Sequence, residues 1–167
     1  MIVQDILNNR IVPFEIEDER LKTLFSFFLH RAPTIDSHCR GEIPACGQDE
    51  IWNSFIEKLG VSTKEYQIYR TSGYITDKNL TTYNLQLTSE VDRRTKRFVS
   101  YIKTKDETEL ECLLRHLRNS VAHGNVFLFV KANRKYLIFD DFNTNNHLTA
   151  RILLSQTDLM SLKRLLE

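Results

Sequence analysis

A chain of 167 residues with 41% apolar side chains is long enough for one ordinary globular domain with its own core. Lysine plus arginine (23) nearly balances aspartate plus glutamate (22), which excludes a global positive field that would hold nucleic acid without specificity. Three cysteines exclude a secreted disulfide framework, and no run approaches the roughly 18 apolar residues of a membrane span. The start, MIVQDILNNR, lacks the basic lead and apolar core of a signal peptide. A reducing cytoplasm and no membrane partner are therefore expected. Without repeats or low-complexity tracts, and with five glycines and three prolines to mark linkers, residues 1–167 read as a single domain.

In chain order, the first fifteen residues form a strand-like lead-in around IVPFEI. From Glu17 to about Arg31, Leu21, Leu24, Phe25 and Phe28 recur at helical spacing until Pro33 stops the pattern. Residues 34–47 carry turn residues and read as a loop. DEIWNSFIEKLG places Ile51, Trp52, Phe55, Ile56 and Leu59 on one face, with Gly60 as terminator. Ser62 and Glu65 have the spacing of a capping box for a shorter helix through about Arg70. Residues 71–88 read equally well as strand or helix. Ser89 with Asp92, and Asp106 with Glu109, predict the starts of two more helices, EVDRRTKRFVSYIK and ETELECLLRHLRNSVAH. Their short connection predicts an antiparallel pair. After Gly124 the period becomes two: VFLFVK, the turn ANRK and YLIFDDF predict a hairpin, followed by a short strand, TARILL, and a capped final helix, SQTDLMSLKRLLE. The fold class expected is α+β and mainly α, a helical bundle with the helical pair at its centre and a small C-terminal hairpin or sheet.

The chemistry-bearing stretch is RNSVAHG, Arg118 to Gly124, at the end of the helix ELECLLRHL. Leu110, Leu114, Leu117 and Val121 make an apolar seam. Asn119 and His123, four apart, share the opposite face with Arg115 nearby. Arg118 sits on the flank, and five residues do not bring it onto the face of His123 in a straight helix. Either the helix end distorts or a second copy completes a site. A histidine, which titrates near neutral pH, can move the proton of a 2′-hydroxyl or of a leaving oxygen. An arginine can hold non-bridging phosphate oxygens through paired N–H groups, and an asparagine can orient either. The plain alternative is a polar helix terminus, with Gly124 as left-handed stop.

LRHLRNSVAHGNV, followed by a hairpin with an aspartate-containing strand and a last amphipathic helix, resembles the C-terminal half of HEPN-domain proteins, in particular small prokaryotic ribonucleases. The family motif is Arg, a polar residue that is often Asn, at least three variable residues, then His. Arg118, Asn119 and His123 match it, and the resemblance covers about residues 89–167. It leaves residues 1–88 without a placed role. It implies a metal-independent, cofactor-free endoribonuclease in which the 2′-hydroxyl attacks and a cyclic phosphate is left. It also implies a homodimer with the Arg and His of both chains around one cleft, a role as toxin or in defence against phage, and an antitoxin or regulatory protein as a further partner. Other HEPN domains are non-catalytic modules that bind a protein or RNA, and that reading stays open.

Other basic residues could contact RNA: Arg115 and His116 beside the motif, and Arg93, Arg94 and Arg97 in the run RRTKR, whose plain reading is a solvated helix face. His38, Cys39 and Cys46 lack the paired short spacing of a zinc site, so no metal is expected.

Overall fold

The computed structural model describes residues 9–31, 47–70, 73–86, 96–102 and 106–167. Among the described residues six strands run as β1 (Arg10–Ile11), β2 (Tyr66–Tyr69), β3 (Arg97–Tyr101), β4 (Val126–Lys131), β5 (Arg134–Phe142) and β6 (Leu148–Ser155). The helices described are α1 (Glu19–Arg31), α2 (Gln48–Leu59), α3 (Asp77–Thr82), α4 (Glu109–Ala122) and α5 (Gln156–Leu166). All strands join one sheet in the order β1-β4-β5-β6-β3-β2, antiparallel except for the pair β2 and β3. No described helix is long and apolar enough to cross a membrane.

The C-terminal third follows its local signals. The turn of the β4–β5 hairpin uses Ala132 and Asn133 at positive φ, and Ser155 caps α5 in a reciprocal box with Asp158. Upstream the sheet is larger than a small C-terminal one, so the architecture is mixed α+β. Two predicted helical segments are strands. Within RRTKRFVSYIK, Arg97–Tyr101 pairs with β6 in the register Phe98↔Ile152 and Ser100↔Ala150, so the predicted helical pair does not form there. The pattern misleads because β3 is buried on both faces: Phe98 and Ile102 join the helix-side core, Val99 the opposite one, and no alternation remains. Ser62 and Glu65 close a turn, with the Glu65 carboxylate accepting from the Ser62 N–H at 2.7 Å, and the chain then enters β2. The ambiguous stretch holds the short helix α3, boxed by Thr76 and Asn79. The start of α4 is capped by Thr108 with Glu111, two residues beyond the predicted Asp106 and Glu109.

Alternation along β5 separates two cores. Leu137 and Phe139 meet α1, α2, α4 and α5 together with Leu114, Leu117, Phe28 and Phe55. Tyr136 and Ile138 face the other way, onto Ile75, Leu80 and Leu85 of the segment around α3. The seam Leu110, Leu114, Leu117 and Val121 is wholly inside the helix-side core, which fixes how α4 is rotated on the sheet.

Asp18, before α1, accepts N–H bonds from Arg20 (2.9 Å) and Leu21 (3.1 Å) and pairs with Lys135 of β5, tying helix start to sheet. Burial opposes ionisation of this carboxyl, but Lys135 and the two N–H groups outweigh it and hold its pKa below the usual carboxylate value. A depressed folded pKa means the stabilisation is complete above the unfolded value of about 4 and is lost as pH falls through the folded value. Asp18→Ala is therefore expected to cost about 1 kcal/mol at pH 7, with the gap to wild type narrowing below pH ~4. Urea midpoints of both proteins at pH 7 and pH 3 check this, and an equal gap at both would refute the linkage.

Candidate functional site

The end of α4 is built by its own backbone. Gly124 takes φ 66°, its N–H reaches the Val121 carbonyl at 3.1 Å, and the Asn125 N–H reaches the Ser120 carbonyl at 2.8 Å. These are the two bonds of a Schellman stop. They satisfy the last carbonyls without any help from the His123 side chain, which is exposed on the final turn. The plain reading of the sequence thus accounts for Gly124 but not for the imidazole.

His123, Asn119, Arg115 and His116 line one cavity of about 700 Å³ between the end of α4, the end of β3, the β5–β6 turn and the segment at Tyr74. Its floor is a closed polar network. The Arg115 guanidinium donates to both oxygens of Glu107 (2.5 and 3.0 Å) and to the Tyr101 carbonyl (2.9 Å). His116, fully buried, has Nδ1 2.7 Å from Asp141 Oδ2, and its Nε2 lies 2.9 Å from the Tyr101 carbonyl and 3.2 Å from an Arg115 terminal nitrogen. Asn119 donates from Nδ2 to the same Asp141 oxygen at 3.1 Å. Burial works against the charge of Arg115, but the bonds and charge of Glu107 overcome it and raise its pKa. Next to it the Cys112 thiol is pushed up to about 12, chiefly by burial and then by Glu107, so it offers no thiolate nucleophile near neutral pH.

Arg118 takes a different direction. Its Nε donates to the Leu29 carbonyl in the last turn of α1 at 3.1 Å, and it does not line the cavity. Its two terminal nitrogens have no partner among the described residues, so one edge of the guanidinium is anchored and the other is available. Within one chain the structure brings Asn119 and His123 together and leaves Arg118 on the neighbouring flank, as the five-residue spacing requires in an undistorted helix.

The other basic candidates scatter. Arg115 and His116 are buried, their polar atoms committed to Glu107, Asp141 and Tyr101 rather than turned outward. Arg97 opens β3, at the end away from Tyr101, and donates to the Asn84 carbonyl at 3.3 Å. Arg93 and Arg94 lie outside the described residues, as do His38, Cys39 and Cys46. Among the described residues no group of three or more His, Cys, Asp and Glu side chains is placed to hold a metal ion.

Sequence reasoning missed Glu107, Asp141, Tyr101 and Tyr74. The two aspartates of YLIFDDF were a signal for Asp141, because alternation turns one of an adjacent pair toward α4 and the other away. Nothing local marks Glu107 or Tyr74.

Compared with known families, residues 48–166 match the model of the family described as HEPN pEK499 p136, a span that starts well upstream of the stretch carrying the motif. No curated protein and no solved structure matches the chain.

Proposed function

Because the chain belongs to the HEPN pEK499 p136 family, whose match covers more than half of it, we propose that it is a metal-independent endoribonuclease acting as a homodimer. HEPN proteins are generally associated with ribonuclease activity. The observation that carries the reading here is the last turn of α4. His123 stands exposed at the rim of a cavity, one turn from Asn119, and among the described residues neither its ring nor the two terminal nitrogens of Arg118 on the adjacent flank have a partner.

In the proposed reaction, one His123 accepts the proton of a ribose 2′-hydroxyl, whose oxygen attacks the adjacent phosphorus. The 5′-oxygen leaves and takes a proton from His123 of the partner subunit, and a 2′,3′-cyclic phosphate remains. Arg118 holds the non-bridging oxygens as their charge grows. Asn119, its amide held by Asp141, positions the ribose or the imidazole. A two-fold partner resolves the geometry of the single chain, since apposing two α4 ends sets the Arg118 flank of one against the His123 face of the other. In the cell the reading is a cytoplasmic effector, a toxin or a phage-defence nuclease, restrained by an antitoxin or a regulatory protein.

The test is incubation of the purified protein with total cellular RNA in excess EDTA, with mapping of new ends. Fragments ending in cyclic phosphate are expected. Intact RNA after treatment with folded, dimeric protein would sink the reading and favour a module that binds a protein or RNA through the same surface.

A further inference from the structure

We infer that the cavity beside His123 is a subsite for one unstacked nucleobase of the RNA, next to the phosphate being cut; this rests on the ribonuclease reading above. Three observations carry it. The first is electrostatic. The polar groups of the floor are engaged with one another, the Arg115 guanidinium with Glu107 and the His116 ring with Asp141, at separations of 2.5 to 3.0 Å. Among the described residues, the one lysine or arginine that lines the cavity is Arg115, and it is paired with Glu107. Asn119 leaves a neutral acceptor to a ligand, its side-chain carbonyl, whose orientation follows from donation of its amide to Asp141. A neutral heterocycle with an N–H donor fits such walls, and the phosphate sits at the rim with His123.

The second observation is the rim. Tyr74 is half exposed (50%), lines the cavity, and is held with its ring 4.5 Å from that of His147. The backbone beneath is pinned by the Ile75 N–H to the Leu148 carbonyl at 2.7 Å. An exposed aromatic already fixed by a second ring presents a stacking surface with little ordering left to lose. The third is dimension. At about 700 Å³ the cavity lies in the usual range for small-molecule sites, and Gly73 leans so closely on Tyr101 that an added Cβ would lie 2.8 Å from its ring. The wall is therefore made by backbone against ring, with Tyr74 the next residue along. A base stacked on Tyr74 would place its own ribose toward Asn119 and His123.

The experiment separates binding from cutting. Tetranucleotides of each base with 2′-O-methyl ribose have no nucleophile and cannot be cleaved, so their affinity, read by fluorescence anisotropy, reports binding without cutting. Tyr74→Ala is expected to weaken the preferred oligomer by about 5- to 100-fold, the usual worth of one base–aromatic stack, and Tyr74→Phe to retain it. On unmodified RNA, Tyr74→Ala is expected to raise KM with kcat nearly kept. Equal affinity of wild type and Tyr74→Ala for all four oligomers, or no binding of any, overturns the subsite even if the wild type cuts RNA. Tyr74-dependent binding by a protein that cuts no RNA keeps the subsite and removes the ribonuclease reading.

Discussion

Alanine at position 123 is expected to slow RNA cleavage by about 10²- to 10⁴-fold, the typical contribution of a positioned acid or base, while leaving the urea midpoint where it was. The two halves of this expectation come from different features. The imidazole is exposed and the Schellman bonds that end α4 belong to the backbone of Gly124 and Asn125, so its loss removes no packing and no cap. Arg118→Ala should also lose cleavage but with a small stability cost, because the Leu29 carbonyl loses the donor that closes α1. If one cleft takes its base from one subunit and its acid from the other, a heterodimer of wild-type and His123→Ala chains lacks one of the two, so an equal mixture should fall below the half activity expected of independent subunits. A mixture that keeps half of the wild-type activity, with subunit exchange verified, would count against a shared cleft.

Arg151→Met is expected to destabilise the fold by about 3–5 kcal/mol, the usual cost of leaving a buried charge without its partner. Arg151 and Asp140 face each other across β6 and β5, neither has any exposed side chain, and the pair is bidentate with both N–O distances 2.8 Å. The remaining guanidinium nitrogen donates to the Leu85 carbonyl at 3.1 Å, so the same residue ties down the segment after α3. Removing it strands a carboxylate and a carbonyl in the second core. The double variant Arg151→Met/Asp140→Leu should regain most of the loss, since an apolar pair of similar volume often matches a buried ion pair. Urea denaturation of the single and double variants measures this, and a loss under about 1 kcal/mol for Arg151→Met alone would show that water reaches Asp140. Because the pair lies on the face away from α4, activity per folded molecule should change little.

What could be read locally was read. The helices around Leu24, Phe55 and Leu162 announce themselves because each buries one apolar stripe, and the helix around Leu114 because its apolar seam recurs at helical spacing. The β4–β5 hairpin does so because its turn and its alternation are contiguous in sequence. Strands β2 and β3 escaped because their pairing is non-local and parallel, and a strand covered on both faces carries no period of two. The misplaced α4 cap has a similar origin: Asp106 and Thr108 are both acceptable in sequence, and the reciprocal bonds of Thr108 and Glu111 decide between them.

The sequence by itself determined that Arg118, Asn119 and His123 lie in the last turns of a helix stopped by Gly124, with Asn119 and His123 on one face and Arg118 beside it. These are consequences of helical pitch and of one left-handed glycine, and need no other part of the chain. Only the tertiary structure decided what each side chain meets. The sheet carries Asp141 and Tyr101 under α4, which turns His116 and Arg115 from candidate surface contacts into a buried floor. Helix α1 supplies the carbonyl that anchors Arg118, 89 residues away in sequence. The segment at Tyr74 lines the same cavity as His123 and is held to β6 by the Ile75 N–H on the Leu148 carbonyl. The division is physical: periodicity encodes which face a residue occupies, whereas the partner on that face comes from distant segments whose packing no short stretch specifies.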